Sequence, residues 1–472
     1  MSKKIKKKIL FVSIYHEVLK TFVPLMKSLQ NDYDIYVLAK HYPFGDDKRL
    51  SEKLINDFSY EGIESLDLGD QTSWRRGKGL TSRWYRVYDS FIKTVYIHIK
   101  ANSQAKDIIG RIQPDLVIVG SDSRTLERYI IEHCEKKDIP SICFQWALSA
   151  ISKNSIREGK TRTLSIETRT IYEQIMDKLY NAVSYLVGRF NGLIVRILML
   201  RIKLRIIPSE KIRVFGQGNA TKLALIGESS KKFQEEMGTP IEKIEVVGHP
   251  LYENIYNNIT LGISNKVNKE EVFKKLNIPI NSNFILWANN DSKKQYAKYY
   301  SDEFMFKSWE EKILAILDAN KEIYIIFKIH PVWNSLKDFQ RLESISPRIR
   351  VLSGMDIEDL LPFSSALVVR HSMAAIFGML YQVPLISFNY PPLPVGGLFG
   401  EIGGTIHVNN NSELKKVMFE LLSRDKNMKR LIQEKKEFFL NNHLSINCSK
   451  EASSNNLSIE RFNNLVSSLL NK

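Results

Sequence analysis

Short runs of β-branched and aromatic residues recur along this chain, each separated from the next by enough residues for a helix. The first series is ILFVSIY (9–15), YDIYVLA (33–39), DLVIVGSD (115–122), SICFQWA (141–147), KIRVFG (211–216) and IEVVGHP (244–250). The second is NFILWAN (283–289), IYIIFKIHP (323–331), IRVLSG (349–354), ALVVRHS (366–372), PLISFNY (384–390) and TIHV (405–408). Runs that are apolar at nearly every position mark strands covered on both faces, which requires parallel sheets sandwiched by helices. Two series therefore predict an α/β chain with two Rossmann-like, doubly wound domains. The Asn-rich stretch 249–271 is the expected connection. The first domain then spans 1–250 and the second 269–430. Helices over 431–472 finish the chain and could cross back to the first domain.

Composition narrows the function. Three cysteines with no CxxC pair exclude a disulfide scaffold or a zinc module and fit a reducing cytosol. The basic start MSKKIKKKILFVSIYHE is no signal peptide, because His16 and Glu17 end its short apolar run and no small-residue cleavage site follows. A net charge of +16 points to acidic partners, or to no more than a lysine-rich solvated surface. One segment breaks the strand–helix rhythm. YLVGRFNGLIVRILMLRIKLRII (185–207) is apolar, yet carries Arg189, Arg196, Arg201, Lys203 and Arg205. Five cations argue against a membrane span, while a basic amphipathic helix at an anionic membrane surface and a buried helix with snorkelling arginines both fit. The N-terminal lysines could touch the same surface. TSWRRGKGLTSRWYRVYDSF (72–91) mixes cations and aromatics and suits sugars, polyanions or headgroups, or is a plain solvated loop.

The chemistry concentrates at strand ends. In open parallel sheets, ligands bind beyond the carboxyl ends of the strands. IIFKIHPVWN (325–334) places Lys328 and His330 there, on the opposite side from Phe327 and Ile329. A phosphate would compensate a lysine buried at that edge; a nearby carboxylate would do so as well. ALVVRHSMAAIFGMLYQVPLISF (366–388) reads as strand, turn, helix and strand. Arg370 and His371 sit at its turn, and Ser372 stands at the expected N-cap. A helix N-terminus is an anion site, although Ser N-caps are also common without one.

KIHP, followed by DIEDLLPFSSALVVRHSMAAIFGMLYQVPLI, resembles the nucleotide-binding half of GT-B glycosyltransferases of capsule and cell-surface polysaccharide synthesis, including CMP-sugar and CDP-glycerol transferases. The resemblance implies two domains facing a cleft, with His330 and Ser372 on the donor phosphate and Lys328, Arg370 and His371 beside them. The chain departs from the pattern at Phe377, where many such enzymes carry a ribose-holding Glu. Asp356, Glu358 and Asp359 could contact the nucleoside instead, or simply favour a helix start.

The opening stretch VSIYHEVLKTFVPLMKSLQNDYDIYVLAK (12–40) is similar to the start of GT-B enzymes, and Pro24 is expected in a first helical turn. The resemblance puts His16 and Glu17 on the cleft. With Asp122 they are the candidates for the general base of an inverting transfer. Asp122 could equally N-cap a helix beginning near Thr125. Gln145 and the Gly216 and Gly218 of VFGQGNATKLA are weaker cleft candidates, and that stretch reads as strand, turn, helix. VVGHPLYEN (246–254) resembles the stretch where lipid-A disaccharide synthase and its relatives leave the first domain, which implies a hinge role for His249. No metal and no cofactor is required.

The expected partners are a nucleotide-sugar donor, CMP- or UDP-linked, a surface-glycan or lipid-linked acceptor, and an anionic membrane surface; no specific nucleic acid is expected. The expected location is cytoplasmic, with peripheral attachment to the inner face of the plasma membrane as an option. CDP-polyol phosphate transfer and UDP-sugar 2-epimerisation use the same architecture. The alternative of another class is a non-catalytic basic protein that binds membrane or nucleic acid.

Overall fold

The computed structural model describes residues 6–13, 16–40, 58–63, 99–122, 124–148, 215–216, 218–263, 267–291, 296–297, 299–330, 336–370, 372–392, 403–447 and 456–471. The stretches 72–91, 185–207 and 211–214, together with His371 and Pro331, lie outside the described residues.

Strands β1 (Lys8–Ser13), β2 (Asp34–Lys40), β3 (Ser59–Ile63), β4 (Leu116–Val119), β5 (Ser141–Phe144), β6 (Lys222–Leu225) and β7 (Ile244–Val246) form one sheet in the order β3-β2-β1-β4-β5-β6-β7. Strands β8 (Phe284–Asn289), β9 (Tyr324–Ile329), β10 (Ile349–Leu352), β11 (Ser364–Val369), β12 (Leu385–Phe388) and β13 (Ile406–Val408) form a second, in the order β10-β9-β8-β11-β12-β13. Both sheets are parallel between neighbouring strands. Each order runs outward from its first strand, then reverses. The reversal falls between β1 and β4 in the first sheet and between β8 and β11 in the second.

The expected two doubly wound domains are therefore present, and the physical reason is visible in the strands. Ile9, Leu10, Phe11 and Val12 are all fully buried, Ile9 and Phe11 in one apolar layer and Leu10 and Val12 in the other. Burying one such side chain stabilises by about 1.5–3 kcal/mol. An alternating strand could fill only one layer.

Helices cover both faces. On the first sheet, α1 (His16–Leu29) packs Phe22 and Leu25 against one layer, and α2 (Thr125–Glu135) packs Leu126 and Ile130 against the other. The connecting stretch is mostly helical: α3 (Pro250–Thr260) leaves the first sheet directly after β7. On the second sheet, α4 (Asp302–Ala319) and α7 (Asn411–Leu422) cover one face. The other face carries α6 (Ala374–Leu380) and residues from α8 (Lys426–Leu444). The last helix, α9 (Leu457–Leu470), lays Phe462 and Val466 into the first domain's core beside Phe22 and Phe144. Glu253 of α3 holds its N-terminus, accepting the Leu457 and Ser458 N–H groups at 3.2 and 2.7 Å.

Three local expectations are corrected. Pro24 lies inside α1 as its ninth residue, well past the first turn. The helix survives because its buried face against the sheet outweighs one lost backbone bond. Phe215 and Gly216 form a turn, and the strand of this region is β6, in the segment expected to be a helix. KLAL is too short for periodicity to decide its state; pairing with β5 and β7 decides it. The N-cap of α2 is Arg124, so Asp122 does not have that role.

Candidate active site at the facing sheet edges

At the second reversal point, β9 alternates as its sequence predicts. Ile325, Phe327 and Ile329 enter the layer beneath α4, while Ile326 enters the layer beneath α6. Lys328 shares Ile326's side and so lies on the face that α6 covers. It is half-buried, and among the described residues it makes no hydrogen bond or ion pair. Burial pushes its pKa down, opposed only by the Asp356 charge. His330 follows at the strand's carboxyl end, also half-buried. Burial, then the Lys328 charge, pushes its imidazole toward the neutral form.

Ser372 precedes α6 on the same face. Its Oγ accepts the Ala374 N–H at 3.2 Å and its carbonyl accepts the Ala375 N–H at 3.0 Å. The N-cap position belongs to Met373, one residue later than expected. Phe377 packs edge-on against Tyr252 of α3, with ring centres 6.0 Å apart. An aromatic contact with the connecting helix thus occupies the position where many GT-B enzymes carry a Glu.

Arg370 is turned to the other face. Its Nε lies 3.0 Å from Asp291, its Nη1 donates to the Pro391 carbonyl at 2.7 Å, and both ion-pair side chains are 2% exposed. Its guanidinium stacks over Phe388 at 4.7 Å. Strand parity thus puts Lys328 on the face that α6 covers, His330 follows at the strand's end and Ser372 leads into α6, while Arg370 is committed elsewhere.

At the first reversal point, α1 starts directly beyond β1, with His16 and Glu17 as its first two residues. Asp122 lies beyond β4 and is 1% exposed. Its carboxylate accepts the Gly216 N–H at 3.0 Å and the Gly218 N–H at 2.7 Å. Burial pushes its pKa up and these two bonds oppose the rise. Three residues taken separately in the sequence thus form one unit. Gly218 is required there, because a Cβ would stand 2.8 Å from the Asp122 carboxylate. Gln145 ties β5 to β6, its side-chain oxygen accepting the Ile226 N–H at 3.2 Å.

Sequence reasoning passed over Glu127. It is fully buried in the first turn of α2, and neither oxygen makes a well-aligned hydrogen bond. Burial holds its carboxyl far above the usual range, and the nearby Gly120 amide opposes this only in part. A lone Glu in a first helical turn looks like an ordinary solvated residue. Nothing in its local pattern announces that α2 is sealed on nearly every side.

His249 caps α3, its Nδ1 accepting the Tyr252 N–H at 3.3 Å. Its Nε2 lies 3.1 Å from the Trp146 carbonyl and its ring stacks on Tyr252. Burial pushes its pKa down to about 3. A neutral, sealed imidazole serves the junction between the two sheets and is not available for proton transfer.

The two carboxyl edges face each other. Leu148, beyond β5, packs into the second domain's core. Lys20 of α1 acts electrostatically on Glu358 in α5 (Ile357–Leu360), beyond β10.

The fold has counterparts among solved structures. A glycosyltransferase from Rickettsia africae ESF-5 matches with a TM-score of 0.55 at 12% identity, over 98% of this chain and 99% of that one. The fold is that of the GT-B enzymes. Another GT-B match is the UDP-GlcNAc 2-epimerase from Neisseria meningitidis bound to UDP-GlcNAc, with a TM-score of 0.54 at 12% identity, covering 98% and 100% of the two chains. The UDP-GlcNAc 2-epimerase from Methanocaldococcus jannaschii in complex with UDP-GlcNAc and UDP matches at 0.52 and 15% identity, covering 98% and 99%. No family model matches the chain, and no curated protein matches it. At such identities the likeness extends to the GT-B architecture and no further. Among the described residues, no helix is long and apolar enough to cross a membrane.

Proposed function

We propose that this chain is a GT-B glycosyltransferase that uses a nucleotide-sugar and holds the donor phosphate on Lys328, His330 and Ser372. One observation carries this reading: Lys328 is a half-buried ammonium without an ion-pair partner among the described residues, beside the strand-order reversal and on the face of α6. A phosphate oxygen about 4 Å away would gain about 4 kcal/mol of Coulomb energy at the effective dielectric of such a site. Arg370 is left out of the set because Asp291 already neutralises it. On the acceptor side, His16 and Glu17 are the better base candidates, since both Asp122 oxygens already accept backbone N–H groups. The acceptor would be a surface glycan or a lipid-linked one, reached at the membrane through the basic segment 185–207.

UDP-sugar 2-epimerisation is the second reading, favoured by the epimerases among the structural counterparts. Product analysis separates the two. Inversion at C2 breaks a C–H bond, so UDP-GlcNAc incubated alone in D2O would gain deuterium there. A transferase would leave C2 protonated and release nucleotide only when an acceptor glycan is added. Deuterium at C2 without acceptor would replace the first reading by the second.

A further inference from the structure

We propose that the carboxyl edge of the second sheet carries an oxyanion subsite formed by Asn289, Arg370, Tyr390 and Lys312, on the sheet face opposite Lys328. Its ligand class is a carboxylate or phosphate. That this oxyanion belongs to a sugar substrate rests on the function proposed above; binding of the anion does not.

The placement follows from register. Ala288 of β8 pairs with Val369 of β11, so Asn289 and Arg370 are the next residues on the two strands where the sheet order reverses. Tyr390 lies two residues beyond β12, the next strand over. Lys312 comes from α4 above the same face, its Nζ 4.2 Å from the Tyr390 ring centre. Asn289, Arg370 and Lys312 are 4%, 3% and 1% exposed.

Donors exceed acceptors in this cluster. Among the described residues, Asn289 Nδ2, Arg370 Nη2 and the Tyr390 hydroxyl are buried without a hydrogen-bond partner. Buried polar groups in folded proteins are nearly always paired, so three unpaired ones at one strand-end junction require an explanation. The charges do not balance either. Among the described residues, Asp291 is the one carboxylate bonded here, and it is shared between Arg370 at 3.0 Å and the Trp309 N–H at 3.4 Å. Among the described residues, Lys312 donates only to the Ser308 carbonyl and hydroxyl, at 3.1 and 2.7 Å. Burial and the Arg370 charge push its pKa down to about 7, while Asp291 and Glu311 oppose this through space. An oxyanion would accept from the unpaired N–H groups and neutralise the surplus cation together.

The test is thermal unfolding of the full chain at fixed ionic strength, titrated with sodium orthophosphate and, separately, with sodium D-glucuronate. Wild type, Asn289→Leu, Tyr390→Phe and Lys328→Met are compared. Tyr390→Phe removes only an unpaired hydroxyl, so its fold is expected to survive. The subsite predicts saturable stabilisation by at least one of the anions. Its midpoint would be about fivefold weaker in Asn289→Leu and in Tyr390→Phe, the scale of one hydrogen bond, and the same weakening would appear when either is combined with Lys328→Met, which removes the phosphate site at the nucleotide edge. Response to glucuronate identifies an acidic sugar as the ligand class; response to phosphate alone identifies a phosphate. No saturable shift with either anion would overturn the proposal. So would a shift that Lys328→Met abolishes and the other two variants leave intact, which would assign the binding to the nucleotide edge. Failure of nucleotide binding with anion binding intact would instead count against the proposed function alone.

Discussion

Replacing Asp122 by Asn separates two roles that a strand-end aspartate can have. In the structure its two oxygens accept one backbone N–H each, from Gly216 at 3.0 Å and Gly218 at 2.7 Å. An asparagine has one acceptor oxygen, so it can keep one of these bonds and must turn its own NH2 toward the other donor. Losing one charge-assisted bond and stranding a buried N–H costs about 3 kcal/mol in total. For a domain of this size that lowers Tm by about 6–12 °C, taking roughly 2–4 °C per kcal/mol. The loss should be local at first. Hydrogen exchange at the Gly216 and Gly218 amides would speed up before the rest of the first sheet responds. A Tm within about 1 °C of wild type, with those two amides still protected, would refute the loop-anchoring account. Lost turnover with unchanged Tm would restore Asp122 as the base.

Two further perturbations probe buried charge. Glu127 has a raised folded pKa, so it favours the folded state only below its unfolded pKa and loses that contribution as pH rises toward the folded value. Glu127→Gln should therefore gain stability relative to wild type between pH 5 and pH 8, and a pH-independent difference in Tm would contradict this. Asp291→Asn leaves the Arg370 guanidinium buried without its counter-charge, at a cost of about 3–5 kcal/mol. Urea unfolding should show that loss, and a change below about 1 kcal/mol would mean the pair is not sealed as described.

Much of the architecture was legible because it is written in local pattern. The runs at 9–15 and 283–289 are apolar at nearly every position, and only a strand covered on both faces needs that. In β9 the alternation of Phe327 and Ile329 with Lys328 fixed which side faces which layer. What failed depended on partners distant in sequence. KLAL becomes β6 because β5 and β7 leave a slot for it. Pro24 sits inside α1 because the helix starts at His16, as early as the end of β1 permits.

The site was legible only in part, for the same reason. Lys328 and His330 are strand-end residues, and strand ends could be read. Whether Arg370 faces a ligand or Asp291 depends on a carboxylate 79 positions away. The tie between Asp122 and Gly216 spans 94 positions. The burial of Glu127 depends on what packs around α2, and no first-turn glutamate signals that.

The central claim is that Lys328 and His330 receive the phosphate of a nucleotide. Calorimetric titration of the wild-type chain with CMP, CDP, UMP, UDP and GDP, repeated with Lys328→Met and His330→Ala, tests it directly. The account predicts that at least one of these nucleotides binds saturably, and that each substitution weakens it about tenfold or more, the loss of one charge-assisted phosphate contact. Binding of no nucleotide, or equal binding by all three proteins, would contradict it.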